Sequence, residues 1–404
     1  MDSKLVNHAH NHADKQARIN PLVDEYTGWI VEARRHLHQN PELSHHEMKT
    51  VGYIREQLEN MGLATRSYTG KDVVAYIEGT EAGKTVALRA DIDALPIQEE
   101  TELPFASQNP GVMHACGHDG HTAILLGAAR ALVSANMPFS GKIKLIFQHA
   151  EEVVPGGANE LVEAGALDDV DAIFGLHLWQ NVDSGLLETC AGPIMAGSDS
   201  FTIKIQGRGG HGSMPHLTID PIVIASHLVT QLQTVVSRSL NPLYPAVISV
   251  GQIYSGDTYN IIPDTAQLQG TVRYFHPDVQ DEVPPLIERL ANGVCASFGA
   301  VSTFEYVKGD PSVVNDSHMN SIVEQVGCKV LGKENVRPAV PSMAGEDFSY
   351  YLQRVPGAYF FLGIRNEQAI YSHHHPRFTI DEKMLPVGSK LLAGIALEYL
   401  EQQR

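Results

Sequence analysis

Thr85-Val-Ala-Leu-Arg-Ala-Asp-Ile-Asp93 is a short β-rich run that ends in two carboxylates, and Lys142-Ile-Lys-Leu-Ile-Phe147 repeats the arrangement, running into His149-Ala-Glu-Glu152. Thr122 to Ser134 reads as a helix between these two strands. Val73 to Glu78 and Ala172 to Leu176 are further β-rich segments. The alternation predicts an α/β domain, a mainly parallel sheet with helices on both faces. Upstream, residues 22 to 62 read as helix, broken at Asn40-Pro41, with a second amphipathic run from His46 to Met61 that stops at Gly62.

Near Ser198 the rhythm changes. Phe201 to Gln206 alternates, Ile222 to Ser239 reads as a helix after Asp220-Pro221, and Ala246 to Ile253 and Thr265 to Tyr274 read as strands. A helix at Asp281 to Ser297 and a strand at Val301 to Val307 complete a compact α+β unit of the ferredoxin-like kind. Residues 199–310 are therefore expected to be an insertion, splitting the first domain into 21–198 and 311–404. The α/β pattern resumes with helix Met319 to Leu331, strand Ala358 to Leu362 and helix Pro386 to Leu400. Residues 1–20 are polar and His-rich and are expected to form a loose tail without a secretory signal, which predicts a cytoplasmic protein.

The 404 residues, 43% hydrophobic, suffice for two packed cores, and no apolar run is long and uncharged enough to span a bilayer. A net charge of −18 opposes nucleic-acid binding, because phosphate contacts need a basic face. Cys116, Cys190, Cys295 and Cys328 lie far apart with no C-x-x-C spacing, which points to reduced thiols and away from a disulfide framework.

In parallel sheets the carboxyl ends of the strands converge on one crevice where ligands bind. Here those ends carry Asp91 and Asp93, Glu151 and Glu152, and His177, and Ala358 to Leu362 precedes His373-His-His375. Met113-His-Ala-Cys-Gly-His-Asp-Gly-His-Thr-Ala123 adds a cysteine, three histidines and an aspartate. Cys116 and His118 stand two apart, so on an extended segment both would reach one ion, and a thiolate with an imidazole suits zinc or a neighbouring transition metal. Cys116, His118, one of Glu151 or Glu152, His177 and one of the three late histidines would make five ligands, enough for two ions. The remaining glutamate would be free for proton transfer, although spacing does not say which it is. Each feature has a plainer reading: His177 a hydrogen-bonded core histidine, the glutamates a solvated strand exit, the histidine triplet a surface tract, the aspartates a turn.

Competing motifs fail. Gly207-Arg-Gly-Gly-His-Gly212 matches G-x-G-x-x-G, but no acidic residue ends a second strand some 20 residues on. G-x-S-x-G and H-E-x-x-H are absent, and the H-x-E at His149 lacks the P-C-x-x-C of zinc deaminases.

The chain resembles the M20 metallopeptidase family, in its amidohydrolase branch of hippurate hydrolases, N-acyl-amino-acid deacylases and auxin-conjugate hydrolases. The resemblance covers nearly everything after residue 25. It rests on Arg34-Arg-His-Leu-His-Gln-Asn-Pro-Glu42, Leu88-Arg-Ala-Asp-Ile-Asp-Ala-Leu-Pro96, the Met113 segment, His149-Ala-Glu-Glu152, Gly209-Gly-His-Gly212, Asn260-Ile-Ile-Pro263, Gly345-Glu-Asp-Phe348 and His374-His-Pro-Arg-Phe378. It implies two divalent transition-metal ions (zinc, manganese, cobalt or nickel) held by Cys116, His118, Glu152, His177 and His374. Glu151 would be the general base, and Asp93 would orient a ligand. The insertion would be a lid and the contact of a homodimer or higher homo-oligomer. His211 and Asn260 would meet the substrate or the developing oxyanion, and Arg273 a substrate carboxylate. The implied reaction is hydrolysis of an N-acyl amino acid. The alternatives are a metallo-dipeptidase or aminopeptidase, and a metal-binding protein without catalysis. His114 and His121 receive no role.

Overall fold

The structure is a computed structural model that describes residues 15–403. The chain forms two compact units. One comprises residues up to Ile194, Val314–Val340 and Asp347–Arg404, the other Met195–Val313 and Pro341–Glu346.

Four parallel strands make the centre of the first unit: Ser140–Gln148, Glu81–Asp91, Ala172–Asp183 and Gly357–Arg365, in that spatial order. Antiparallel strands flank them, Val73–Glu78 beside Ser140–Gln148 and Leu187–Thr189 beside Gly357–Arg365. Central strands buried on both faces need continuous apolar runs, and residues 85–91 are buried without interruption. Their alternation still sorts side chains: Leu88 and Ala90 join the main core, whereas Arg89 points to the opposite face and meets Asp347. The helices His118–Ala135, Met384–Gln402 and Thr27–Gln39 pack together on the core side. The short helices Gly157–Glu163 and Ser349–Leu352 pack against each other on the Asp347 side.

Two expectations change. Residues 1–14 lie outside the described residues, but 15–25 are helical, so the end of the expected loose tail is packed structure. Ile19 and Val23 are fully buried one turn apart, an apolar stripe masked in the sequence by polar neighbours. Helix His118–Ala135 starts four residues earlier than the apolar pattern indicates, because Gly117, at φ 100°, turns the chain into it. Cys116 and His118 therefore do not share an extended segment, and His118 and His121 stand one helical turn apart. No helix among the described residues is long and apolar enough to cross a membrane.

In the second unit, strands Gly197–Gln206, Ala246–Tyr254, Thr265–Tyr274 and Val301–Val307 form an antiparallel sheet. Numbered by chain position, their spatial order is 4-1-3-2, the ferredoxin-like arrangement. Helices Pro221–Thr234 and Pro277–Ser297 close its core around Ile203, Leu228, Leu268 and Ile287. The first begins on Asp220, whose carboxylate accepts the N–H groups of Ile222 and Val223, with Pro221 in the first turn.

Candidate metal centre

Loops, a helix start and a central strand of the first unit bring the five expected ligands into one cluster: Cys116 and His374 lie in loops, His118 opens helix His118–Ala135, Glu152 follows strand Ser140–Gln148 and His177 lies in strand Ala172–Asp183. Cys116 Sγ lies 3.6 Å from His177 Nε2, and Glu152 Oε1 lies 3.3 Å from His374 Nε2 and 3.8 Å from His118 Nε2. Glu151 Oε2 is 3.9 Å from the same His118 nitrogen. Ligand atoms bound to one tetrahedral ion at ordinary bond lengths are roughly 3.4–3.6 Å apart, which is this spacing. His118 Nε2 is buried and has no hydrogen-bond partner, a state that costs about 1–3 kcal/mol and that a bound ion would relieve. The donor set thus fits divalent transition-metal ions.

Charge gives the same answer. Desolvation, reinforced by Glu152, Glu151 and Asp91, pushes the Cys116 thiol well above its usual range. Desolvation opposes charge on His118, yet Asp91, Asp93 and Glu152 outweigh it and push the imidazole up to about 10. The negative charge of the site thus keeps protons on both groups, and a dication that binds there takes their place and releases them.

Surrounding residues hold these donors in place. Asp93 Oδ1 accepts from His118 Nδ1 at 3.1 Å, which aims Nε2 into the cluster. Its other oxygen accepts the Ser44 hydroxyl at 2.7 Å and the Glu152 backbone N–H at 3.1 Å, so one carboxylate aligns a candidate ligand and the glutamate loop. His177 donates from Nδ1 to the Leu178 carbonyl at 2.9 Å, leaving Nε2 for the cluster. Ala150 and His374 have φ of 50° and 64°, a conformation that costs a non-glycine residue about 1–2 kcal/mol and turns the glutamates and His374 inward. Glu47 Oε1 secures the first turn by accepting the Ala150 N–H at 2.8 Å. The glutamate loop is also packed against Gly157, where an added Cβ would lie 2.0 Å from the His149 carbonyl oxygen. Gly157→Ala is therefore expected to cost roughly 1–3 kcal/mol, seen as a lower urea midpoint, and to weaken metal retention.

His373 is not part of the cluster. Its Nε2 donates to the Leu178 carbonyl at 2.9 Å and its ring packs on Trp179. His375 stacks on Tyr371. His114 is buried with neither ring nitrogen hydrogen-bonded, and burial pushes its pKa down to about 4.

His211, Asn260 and Arg273 belong to the second unit. His211 pairs with Ile261 across a two-stranded ribbon, and Asn260 accepts the Gly212 N–H at 2.9 Å, so these two are neighbours. His211 Nδ1 accepts from the Ser213 N–H at 3.1 Å, which places the ring proton on exposed Nε2. Arg273 is half-buried, and desolvation lowers its pKa against the pull of Asp310 and Asp199.

Sequence reading missed the supporting networks. Asp119, fully buried, accepts from Arg34 Nε at 2.7 Å and from His38 Nδ1 at 2.8 Å, tying helix Thr27–Gln39 to the turn that carries His118. Arg89 reaches Asp91, Gln148 and Asp347 at 2.7–2.8 Å and joins two strand ends to the turn before helix Ser349–Leu352. The signal was present: Arg34, His38 and Asp347 lie within segments that carry the resemblance, but nothing in one sequence pairs them.

Residues 87–398 match the profile of Peptidase family M20/M25/M40. The chain belongs to this family. It is 45% identical over 387 residues to the putative amidohydrolase YhaA of Bacillus subtilis, covering 95% of this chain and 98% of that one. It is 47% identical over 298 residues to the N-acyl-L-amino acid amidohydrolase of Geobacillus stearothermophilus, covering 74% and 80%. It is 41% identical over 383 residues to thermostable carboxypeptidase 2 of Saccharolobus solfataricus, covering 93% and 97%. Among solved structures, YXEP of Bacillus subtilis, a dinuclear metal-binding peptidase of the M20 family, superposes with a TM-score of 0.83 at 37% identity, covering 94% and 99%. The M20 chain is thus a hydrolase of the amidohydrolase and peptidase kind, and its donor cluster fits a centre of two divalent metals.

Proposed function

We propose that this M20 hydrolase cleaves N-acyl-L-amino acids to a carboxylic acid and a free amino acid, using two ions held by Cys116, His118, Glu152, His177 and His374. The observation that carries the reading is the second carboxylate: Glu151 Oε2 stands 3.9 Å from His118 Nε2, at the edge of the donor cluster and next in sequence to Glu152. The N-acyl-L-amino acid amidohydrolase among the relatives supports the substrate class. Divalent ions, when bound, polarise the amide carbonyl and acidify water. Glu151 takes the proton of the attacking water and delivers it to the departing nitrogen. His211 donates its Nε2 proton to the oxygen that gains charge, with Asn260 beside it. Arg273 pairs with the substrate carboxylate, and its desolvated guanidinium suits that bond. The second unit acts as a lid and as the contact of a homodimer or larger oligomer. A thiolate donor and four cysteines without a disulfide suit a reducing cytoplasm.

Arg273→Met is expected to raise KM by roughly 10–100-fold, the worth of one charged hydrogen-bonded pair, with a smaller change in kcat. A change confined to kcat would remove Arg273 from substrate binding. The carboxypeptidase relative favours a second reading, peptide cleavage. Hydrolysis of an N-acetyl amino acid compared with the matching unblocked dipeptide separates them: the N-acyl reading requires the blocked compound to be preferred.

A further inference from the structure

His121 is the histidine that the donor cluster leaves over, and both of its ring nitrogens are committed. Nδ1 lies 2.6 Å from Asp91 Oδ1, and Nε2 accepts the Leu178 N–H at 2.9 Å, so the ring proton sits on Nδ1. Donor atoms of Asp91, His118 and His121 approach closely enough to share an ion. However, Asp91 Oδ2 is held by Arg89 Nη1 at 2.7 Å and His121 has no nitrogen left, so this trio is a hydrogen-bonded assembly.

Leu178 is gripped on both sides of its Cα, through two successive peptide units. Its N–H goes to His121, and its carbonyl receives His177 Nδ1 and His373 Nε2, each at 2.9 Å. The carbonyl fixes the His177 tautomer and turns Nε2 toward Cys116 Sγ, 3.6 Å away. Arg89 anchors Asp91, Asp91 sets the His121 tautomer, and the His121 lone pair holds the His177–Leu178 peptide, one Cα before the carbonyl that orients the His177 ring. Without that acceptor the buried N–H of the His177–Leu178 peptide loses its partner, and the Leu178 backbone can shift and carry with it the carbonyl on which the His177 ring depends.

We propose that Asp91 and His121 form a positioning pair that acts through the backbone of Leu178 to set the His177 ring, and with it the affinity for the ion shared by Cys116 and His177. This rests on the reading of Cys116 and His177 as ligands. It gives His121 a role in metal retention and none in proton transfer.

Asparagine and glutamine at this position divide the two hydrogen bonds. His121→Asn keeps a donor near Asp91 and loses the Leu178 acceptor; His121→Gln places a carbonyl oxygen near the former Nε2. The full chain, loaded with zinc, is titrated with a chelator. His121→Asn is expected to release one zinc about 10–100-fold more readily, the usual effect of losing a group that orients a ligand, while the second zinc and His121→Gln stay near wild type. Wild-type retention of both ions by His121→Asn, or equal weakening of both ions by both variants, would overturn the proposal. If His121→Asn does not fold, His121→Gln decides alone: keeping both zincs supports the acceptor role, and losing either overturns it. His177→Ala checks the ligand reading separately. It must lose a single zinc, and retention of both there would refute the ligand set whatever His121 does.

Discussion

Glu151→Gln is expected to lower kcat toward an N-acyl amino acid by roughly 10²–10⁴-fold, the usual worth of a positioned acid–base group. Metal content should not change. Glutamine keeps the shape of the side chain and removes its capacity to take a proton, whereas the proposed metal donors are Cys116, His118, Glu152, His177 and His374. Glu152→Gln is the necessary companion, because Glu152 Oε1 is 3.3 Å from His374 Nε2 and 3.8 Å from His118 Nε2, inside the cluster. It should lose metal and activity together. Were Glu151→Gln to lose metal while Glu152→Gln kept it, the two glutamates would have exchanged roles.

Asp119→Ala should destabilise the chain by about 3–5 kcal/mol, a large share of the 5–15 kcal/mol typical of folded proteins. The Arg34 and Asp119 side chains are both 0% exposed, 2.7 Å apart. Deleting the carboxylate leaves a buried guanidinium whose nearest remaining carboxylate, Glu382, is 3.3 Å away and partly exposed. His38 also loses its Asp119 partner. Urea unfolding of the metal-free protein reads the effect without the contribution of bound ions. A loss below about 1 kcal/mol would mean that water or Glu382 compensates the charge fully. Replacing Arg34 and Asp119 together by apolar residues should recover part of the loss, since the penalty lies in the unpaired charge.

What the sequence made legible follows from range. Strands such as Thr85 to Arg89 declare themselves through local composition, and their carboxyl ends place Glu151, Glu152 and His177 in one crevice by topology alone. Choosing among His373, His374 and His375 took more. Periodicity treats them alike, the resemblance selected His374, and the structure turns it toward Glu152 through a left-handed φ of 64° while packing His373 against Trp179. The start of helix His118–Ala135 was misplaced because glycine and histidine carry little helical signal, and Gly117 acts through a conformation composition does not reveal. Long-range polar pairs were invisible: Arg89 to Asp347 spans 258 positions, and no local rule couples such residues. His121 remained unassigned for the same reason, since it lies on a helix and its partners, Asp91 and the Leu178 N–H, lie on two strands distant in the chain.

The central claim is that the cluster of Cys116, His118, Glu152, His177 and His374 holds two divalent ions that are required for amide hydrolysis. Chelated protein should be reconstituted stepwise with zinc, manganese, cobalt or nickel, with bound metal counted by elemental analysis and hydrolysis of acetyl, benzoyl, indoleacetyl and long-chain acyl amino acids followed at each step. Activity should be absent without metal and should saturate at two ions per chain, with Glu151→Gln binding the same two and staying inactive. Full hydrolysis by the metal-free chain, or saturation of binding with no turnover of any N-acyl amino acid, would contradict it.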